Sequence, residues 1–248
     1  MSVGNGTAST RRSASTAKKA ATRARCPNNR FERSLCAEGF ERVAGLDEVG
    51  RGAWAGPVSV GVVVVPFGVP APRGIRDSKM LSEERREELF PKITAWCTDW
   101  SVGHAEPVEC DRLGMTAALR LAARRALDGL APGPQIVAMD GSFDYVSDPD
   151  GPDGPAGAVV PDGPTTPLPQ IRTVVRGDAT CVSIAAASIV AKVTRDRIMR
   201  SMASSFPGFD FDRNKGYPSP VHRTALAGFG LTSLHRRSWS YVAELAFR

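Results

Sequence analysis

Residues 58–65 read Val-Ser-Val-Gly-Val-Val-Val-Val, six valines in eight positions. β-Branched side chains favour extended backbone, and a stretch this short cannot cross a bilayer, so the run predicts a strand buried in a core. The segment before it reads as the first half of a β-hairpin. A short apolar run, Val43 to Leu46, enters Asp47-Glu48 and then a glycine-rich turn, Gly50-Arg51-Gly52. The connection of that hairpin therefore carries charged residues.

Downstream, strands and helices alternate. Ser82 is expected to start a helix through about Trp96, with Glu83 and Glu84 in the first turn where the helix dipole favours acids. Trp100–Ala105 reads as a strand, Thr116–Leu130 as an amphipathic helix and Gln135–Met139 as a buried strand ending at Asp140. Ile171–Val175 is a further strand, and Thr180 to about Ser204 the longest helix, whose Ala185-Ala186-Ala187 run lets a neighbour approach closely. A loop from Phe206, a helix near Pro220–Gly228 and a last helix from about Trp239 complete the pattern. Ser147–Pro169, packed with Asp, Gly and Pro, reads as a surface insertion. Residues 1 to about 35 lack apolar periodicity and read as a disordered basic tail, leaving 36–248 as one domain whose part from about 206 is helical. The fold class expected is α/β, a central mixed β-sheet flanked by helices with a C-terminal helical lobe.

Charge narrows the partners only weakly. The 248 residues carry a net charge of +6, but seven of the 32 basic residues lie in the first 30 positions, where no acid interrupts them. Polyanionic partners fit this balance, and the tail is expected to add salt-sensitive affinity for them. The five cysteines are scattered without a CxxC pair, which speaks against a disulfide framework or a zinc site. With neither a long apolar span nor a hydrophobic signal core, a cytoplasmic protein without a membrane contact is expected, and nothing requires a dimer, so a monomer is expected.

Three acidic sites share one context. Asp47-Glu48 follows a strand, Asp140 ends one, and Asp178 falls between a strand and a helix. Converging on one sheet edge, these carboxylates would repel one another, and hard divalent cations relieve such repulsion. An oxygen-only donor set favours Mg2+ or Mn2+ over zinc. Two such ions about 4 Å apart can hold the attacking water and the leaving oxygen of a phosphodiester.

Five blocks in order then match a family. Asp47-Glu-Val-Gly-Arg-Gly-Ala-Trp-Ala-Gly-Pro-Val58 resembles the opening signature of type 2 ribonucleases H (ribonuclease HII). Asp77-Ser-Lys79 with Leu81-Ser82, Met139-Asp-Gly141, Arg176-Gly-Asp-Ala-Thr180 running into the helix 183–196, and Gly216-Tyr-Pro-Ser219 with His222 and 234–239 resemble the later ones. The resemblance implies a ribonuclease H-like fold, metal-binding catalytic carboxylates at Asp47, Glu48, Asp140 and Asp178, and a Mn2+ or Mg2+ cofactor. It implies an endonuclease acting on RNA/DNA hybrids and on ribonucleotide-containing duplex DNA, cutting 5′ of the ribonucleotide to leave 3′-hydroxyl and 5′-phosphate ends. Gly50, Arg51 and Gly52 would meet the ribose 2′-hydroxyl through backbone groups, and Tyr217 would place its ring against the adjoining sugar. Glycine allows such close backbone approach, and the 2′-hydroxyl is what distinguishes RNA from DNA. Lys79 and Lys192 are candidate phosphate contacts, Ser78 and Ser188 weaker candidates, and Asp196 is expected to pair with Arg195 or Arg197.

The chain departs from the pattern in its long stretch between Asp140 and Asp178 and in Ser219, where threonine is common. Type 3 relatives usually carry a folded N-terminal domain and a glutamate as fourth acid, so type 2 fits better. Two alternatives stay open here: a catalytically impaired hybrid-binding protein, and another metal nuclease of the same fold.

Overall fold

The computed structural model describes residues 26–147 and 167–239. Strands β1 (Val43–Val49) and β2 (Val58–Val64) form the expected hairpin, antiparallel with Leu46 opposite Val62. Strand β3 (Asp99–Ala105) pairs antiparallel with β2. On the other side of β1, β4 (Ile136–Asp140) and β5 (Gln170–Val174) add in parallel, giving the order β3-β2-β1-β4-β5. The sheet is mixed because β1 and β2 are joined by the turn over 50–57 and β2 and β3 by a connection carrying the helix Glu83–Trp96, both antiparallel, whereas the parallel neighbours need crossover connections.

The valine run explains the layers. Val58, Val60, Val62 and Val64 face helix α4 (Met115–Asp128), packing with Leu119, Ala122 and Ala126. Val63 and Val65 face helices α2 (Glu83–Trp96) and α6 (Val182–Ala203), packing with Leu89, Ile93, Ile189 and Val190. Both faces of β2 are thus covered, and each fully buried valine contributes about 1.5–3 kcal/mol. Helix α6 lies close enough to β1 that a Cβ on Gly45 would stand 2.1 Å from the Ser183 carbonyl carbon. Short helices α5 (Gly177–Thr180) and α7 (Phe211–Asn214), with α8 (Pro220–Phe229), complete the second half. Phe209, Phe211, Ala225 and Leu226 of this C-terminal part pack on Trp54, Ala55 and Met199.

Several sequence expectations shift. Helix α1 (Arg30–Ala37) lies within the stretch expected to be a tail. Leu35 is fully buried beside Val43 and Ile136, and Glu32 accepts from the Ser183 amide and hydroxyl at 2.8 and 2.7 Å. Tertiary contacts, invisible to a periodicity test, hold this helix. Helix α3 (Pro107–Leu113) was likewise unmarked, being two turns long. Its N-terminus is closed by Glu109, whose carboxylate accepts from the Glu106 amide at 2.8 Å. Strand β1 runs through Asp47 and Glu48 instead of ending before them. Asp196 pairs with Lys192 and Arg86, at 2.6 and 3.6 Å, not with Arg195 or Arg197. The first 25 residues, most of the 147–169 insertion and the helix expected beyond Trp239 lie outside the described residues.

Gly45→Ala should lower stability by about 1–3 kcal/mol, because α6 would have to move off the sheet. Urea unfolding would show this as a reduced midpoint. Gly133→Ala, where nothing lies within 4 Å of the added carbon, should leave the midpoint nearly unchanged.

Candidate active site

The parallel register of β1 and β4 sets the first two acids side by side. Leu46 lies opposite Met139, so the next step along both strands places Asp47 beside Asp140. Alternation then turns Asp47 toward α6 and Glu48 toward the α4 side. Asp140 Oδ1 accepts from the Gly177 amide at 2.7 Å, which draws the start of α5 to the end of β4. Asp178 follows in that first turn and is buried. All four predicted carboxylates thus meet at one edge, from three separate segments of chain.

Their electrostatics show a site rich in negative charge. Asp47 is 4% exposed, and its carboxyl is held well above the usual carboxylate range by burial first, then by Glu48 and Asp140. Burial and Asp140 also raise Glu48, against the opposing pull of Arg51 and Lys79. Asp178 is raised by burial, Asp140 and Asp77. Lys79 is a nearby cation: its side chain is 74% exposed and its ammonium lies 3.8 Å from Asp178 Oδ2. Although burial pulls its pKa down, Asp47, Asp77, Asp178 and Asp140 together raise it. Ser188, whose Oγ donates to Ser78 Oγ at 2.8 Å, also lies against Asp47.

Tyr145, which sequence reasoning missed, donates its hydroxyl to Glu48 Oε2 at 3.4 Å. It is buried, and its phenol is pushed well above its ordinary range by burial and by Glu48 and Asp47. Nothing in its local sequence marks it, because the contact spans 97 positions.

A second group borders the acids. The Gly50 amide donates to the Tyr217 hydroxyl at 3.1 Å, joining the Gly50-Arg51-Gly52 turn to the tyrosine across 167 positions. Gly50 has φ +85°, and a Cβ there would stand 2.3 Å from Arg195 Nε. Only glycine suits such a site. Arg51 and Gly52 are exposed, and the Arg51 carbonyl accepts from Arg236 at 3.1 Å. Buried Arg195 donates to the carbonyls of Pro57, Lys215 and Ala55 at 2.8, 2.8 and 3.0 Å, and lies 5.4 Å from the centre of the Tyr217 ring. Lys192 is placed beside the same ring, at 5.6 Å, with its ammonium donating to Asp196 at 2.6 Å. Burial lowers its pKa.

Among the described residues no three His, Cys, Asp or Glu side chains already stand close enough to hold a metal ion. The donor chemistry nevertheless suits one. The acids at the edge offer carboxylate oxygens, and three of these groups are raised in pKa by burial and by neighbouring carboxylates, a repulsion that a hard dication would relieve.

The family model described as Ribonuclease HII matches residues 44–242. The chain belongs to the ribonuclease HII family. A ribonuclease HII of Streptomyces griseus is 47% identical over 223 residues, covering 88% of this chain and 86% of the relative. The crystal structure of the ribonuclease H2 from Pyrococcus horikoshii OT3 superimposes with a TM-score of 0.68 at 27% identity, covering 84% of this chain and 98% of that one. Bst-RNase HIII in complex with Mn2+ shares the fold, with a TM-score of 0.60 at 20% identity, covering 83% and 69% respectively. The chain is accordingly a ribonuclease H-type hydrolase, an endoribonuclease acting on RNA/DNA hybrids. No helix among its described residues is long and apolar enough to cross a membrane.

A carboxyl whose folded pKa is raised favours folding as pH falls through that pKa and disfavours it above. Metal-free Asp47→Asn should therefore melt a few degrees higher than wild type at neutral pH, since about 1 kcal/mol corresponds to about 2–4 °C at this size. Mg2+ or Mn2+ should raise the wild-type Tm more than the variant's. A variant that melts lower without metal, and responds equally to metal, would remove Asp47 from the repelling group.

Proposed function

We propose that this chain, besides hydrolysing the RNA strand of hybrids, cuts on the 5′ side of single ribonucleotides embedded in duplex DNA. It would leave 3′-hydroxyl and 5′-phosphate ends, in the service of ribonucleotide removal from DNA in the cytoplasm. The observation that carries this reading is the Gly50 amide to Tyr217 hydroxyl bond, which sets a backbone turn and a ring together beside the carboxylate edge. Since Tyr217 Oη accepts from Gly50, its own proton remains available to donate outward. The exposed turn at Arg51 and Gly52 has backbone groups that a ribose 2′-hydroxyl can approach.

Asp47, Glu48, Asp140 and Asp178 would hold the divalent cations, Mg2+ or Mn2+. A bound pair would supply in-line two-metal hydrolysis, stabilising charge on the attacking and leaving oxygens. The chain's own residues do the rest. Tyr145 orients Glu48 through its hydroxyl, and Ser188 orients Asp47. Lys79, exposed beside Asp178, is the cation best disposed to meet a phosphate. Lys192 supports the Tyr217 ring from Asp196 and contributes positive potential there. The catalytic unit would extend from α1 through the C-terminal helical part and work as a monomer, with the basic segment before α1 adding salt-sensitive affinity.

A labelled DNA duplex containing one ribonucleotide, incubated with Mg2+, Mn2+ or EDTA beside an all-DNA control, tests the reading. A metal-dependent cut 5′ of the ribonucleotide with the control intact is expected. Cleavage of the control at a comparable rate would overturn it. Asp47→Asn and Asp140→Asn should each reduce kcat by about a thousandfold or more with substrate binding retained, a loss of several kcal/mol of transition-state stabilisation. Tyr217→Ala should cost about tenfold on the embedded ribonucleotide and less on long hybrids. Equal losses on both would make Tyr217 a packing residue.

A further inference from the structure

His222 and His235 stand in the C-terminal motifs, yet carboxylate chemistry gives neither a task. Both are buried, at 0% and 2% exposure, and their Nε2 atoms face each other at 2.9 Å. Two neutral imidazoles can meet this way only when one carries its proton on Nε2 and the other does not. The outer contacts decide which. The Thr232 amide, which can only donate, meets His235 Nδ1 at 3.0 Å. That nitrogen is therefore bare, and His235 carries its proton on Nε2. The Tyr217 carbonyl, which can only accept, meets His222 Nδ1 at 3.0 Å. His222 therefore carries its proton on Nδ1 and presents a bare Nε2 to its partner.

The two ends, taken independently, assign the same direction. Thr232 donates to His235, His235 donates to His222, and His222 donates to the Tyr217 carbonyl. The Thr232 hydroxyl, 2.8 Å from His235 Nδ1, can donate to the same nitrogen. Phe209 and Phe211 ring both histidines, and Trp54 packs on His222. Arg223 lies over Trp54, and Arg236 turns its guanidinium to the Gly56 and Arg51 carbonyls. Burial lowers the His222 pKa and takes His235 down to about 4, with His222 adding to the effect, so both rings are neutral at ordinary pH.

The chain ends where positioning matters. Lys215 and Gly216 both have positive φ, 52° and 81°, so the backbone entering Tyr217 adopts a conformation it would rarely hold unaided. Three successive carbonyls are each taken by a different donor: Lys215 by Arg195, Gly216 by the Trp54 and Ala55 amides, and Tyr217 by His222. We infer that His222 and His235 are positioning residues for Tyr217, a one-way chain of two imidazoles in fixed, opposite tautomers that aims the ring at the Gly50-Arg51-Gly52 turn. The inference rests on the reading of Tyr217 as a substrate-facing residue.

The full chain has only three histidines, so long-range 1H–15N correlation on uniformly labelled protein, assigned with His104→Gln and His235→Gln variants, reads the tautomers directly. At neutral pH His222 should appear in the Nδ1–H form and His235 in the Nε2–H form. The Nε2–H form at His222, or a protonated ring in either residue, overturns the inference whatever Tyr217 does.

Kinetics supply the second arm. His235→Leu should lower the ratio of embedded-ribonucleotide to long-hybrid cleavage by about as much as Tyr217→Ala, and the double variant should lose no more than either alone, as expected for residues acting as a unit. His235→Gln, whose amide can still donate to His222, should recover most of the ratio. Additive losses, or an unchanged ratio in His235→Leu while Tyr217→Ala shifts it, would sink the relay. A ratio unmoved by Tyr217→Ala itself would remove the Tyr217 reading, and the tautomer spectrum would then decide the relay alone. If His235→Leu fails to fold, the wild-type spectrum and His235→Gln carry the decision.

Discussion

Helix α6 crosses β1 at backbone distance, because Gly45 offers no side chain and the Ala185–Ala187 stretch adds little bulk. Its 22 residues span about 33 Å, long enough to touch nearly every functional part of the molecule. Ser183 near its start receives Glu32, and Ser188 reaches Asp47. Lys192 and Arg195 lie behind Tyr217, and Met199 enters the C-terminal cluster. Asp178 stands in the short helix that leads into it. Were α6 an ångström or two farther from the sheet, the acids on β1 and β4 and the acid before α6 could not share one edge.

Buried charge is treated in two ways along this helix. Asp196 is neutralised by Lys192 and Arg86, which makes it structural despite its carboxylate. Asp47, Glu48 and Asp178 have no such full compensation, and burial first, then neighbouring carboxylates, raise their pKa values. An acid paired within the fold has no need of a metal, whereas acids crowded against one another do. That contrast separates the carboxylates proposed to hold metal from the one that braces the fold more surely than burial alone.

Much of this was legible in the chain, and the failures have physical causes. The valine run announced a strand covered on both faces, and Ser82 caps α2 as its position suggested, accepting from Arg85 at 3.3 Å. The strand-end acids were visible because strand, acid and turn chemistry are all local signals. Asp196 was assigned the wrong partners because adjacent helical residues point about 100° apart, while Lys192, one turn back, shares its face. Arg195 turns instead to backbone carbonyls, and Arg197 to Glu87. Helix α1 and Tyr145 were missed because each is defined by partners far along the chain. The histidine chain was equally hidden, since the direction of donation belongs to geometry and leaves no trace in residue order.

Arg195 and Arg236 are the largest fully buried side chains, and among the described residues no carboxylate pairs with either. Carbonyl oxygens satisfy their N–H groups without cancelling their charge. Burial lowers the Arg236 pKa to about 10, which still leaves it cationic at neutral pH, and Arg195 keeps three carbonyl partners for its charged form. Two fixed cations therefore sit directly behind the surface that bears Gly50–Gly52 and Tyr217, in low-dielectric surroundings that project their field outward. A polyanion nearing this face meets an attraction that needs no flexible side chain to be ordered first. Salt still screens that field across the intervening solvent, so capture weakens with ionic strength as all steering does, while the two guanidinium groups, already held by carbonyls, lose no side-chain freedom when the polyanion arrives.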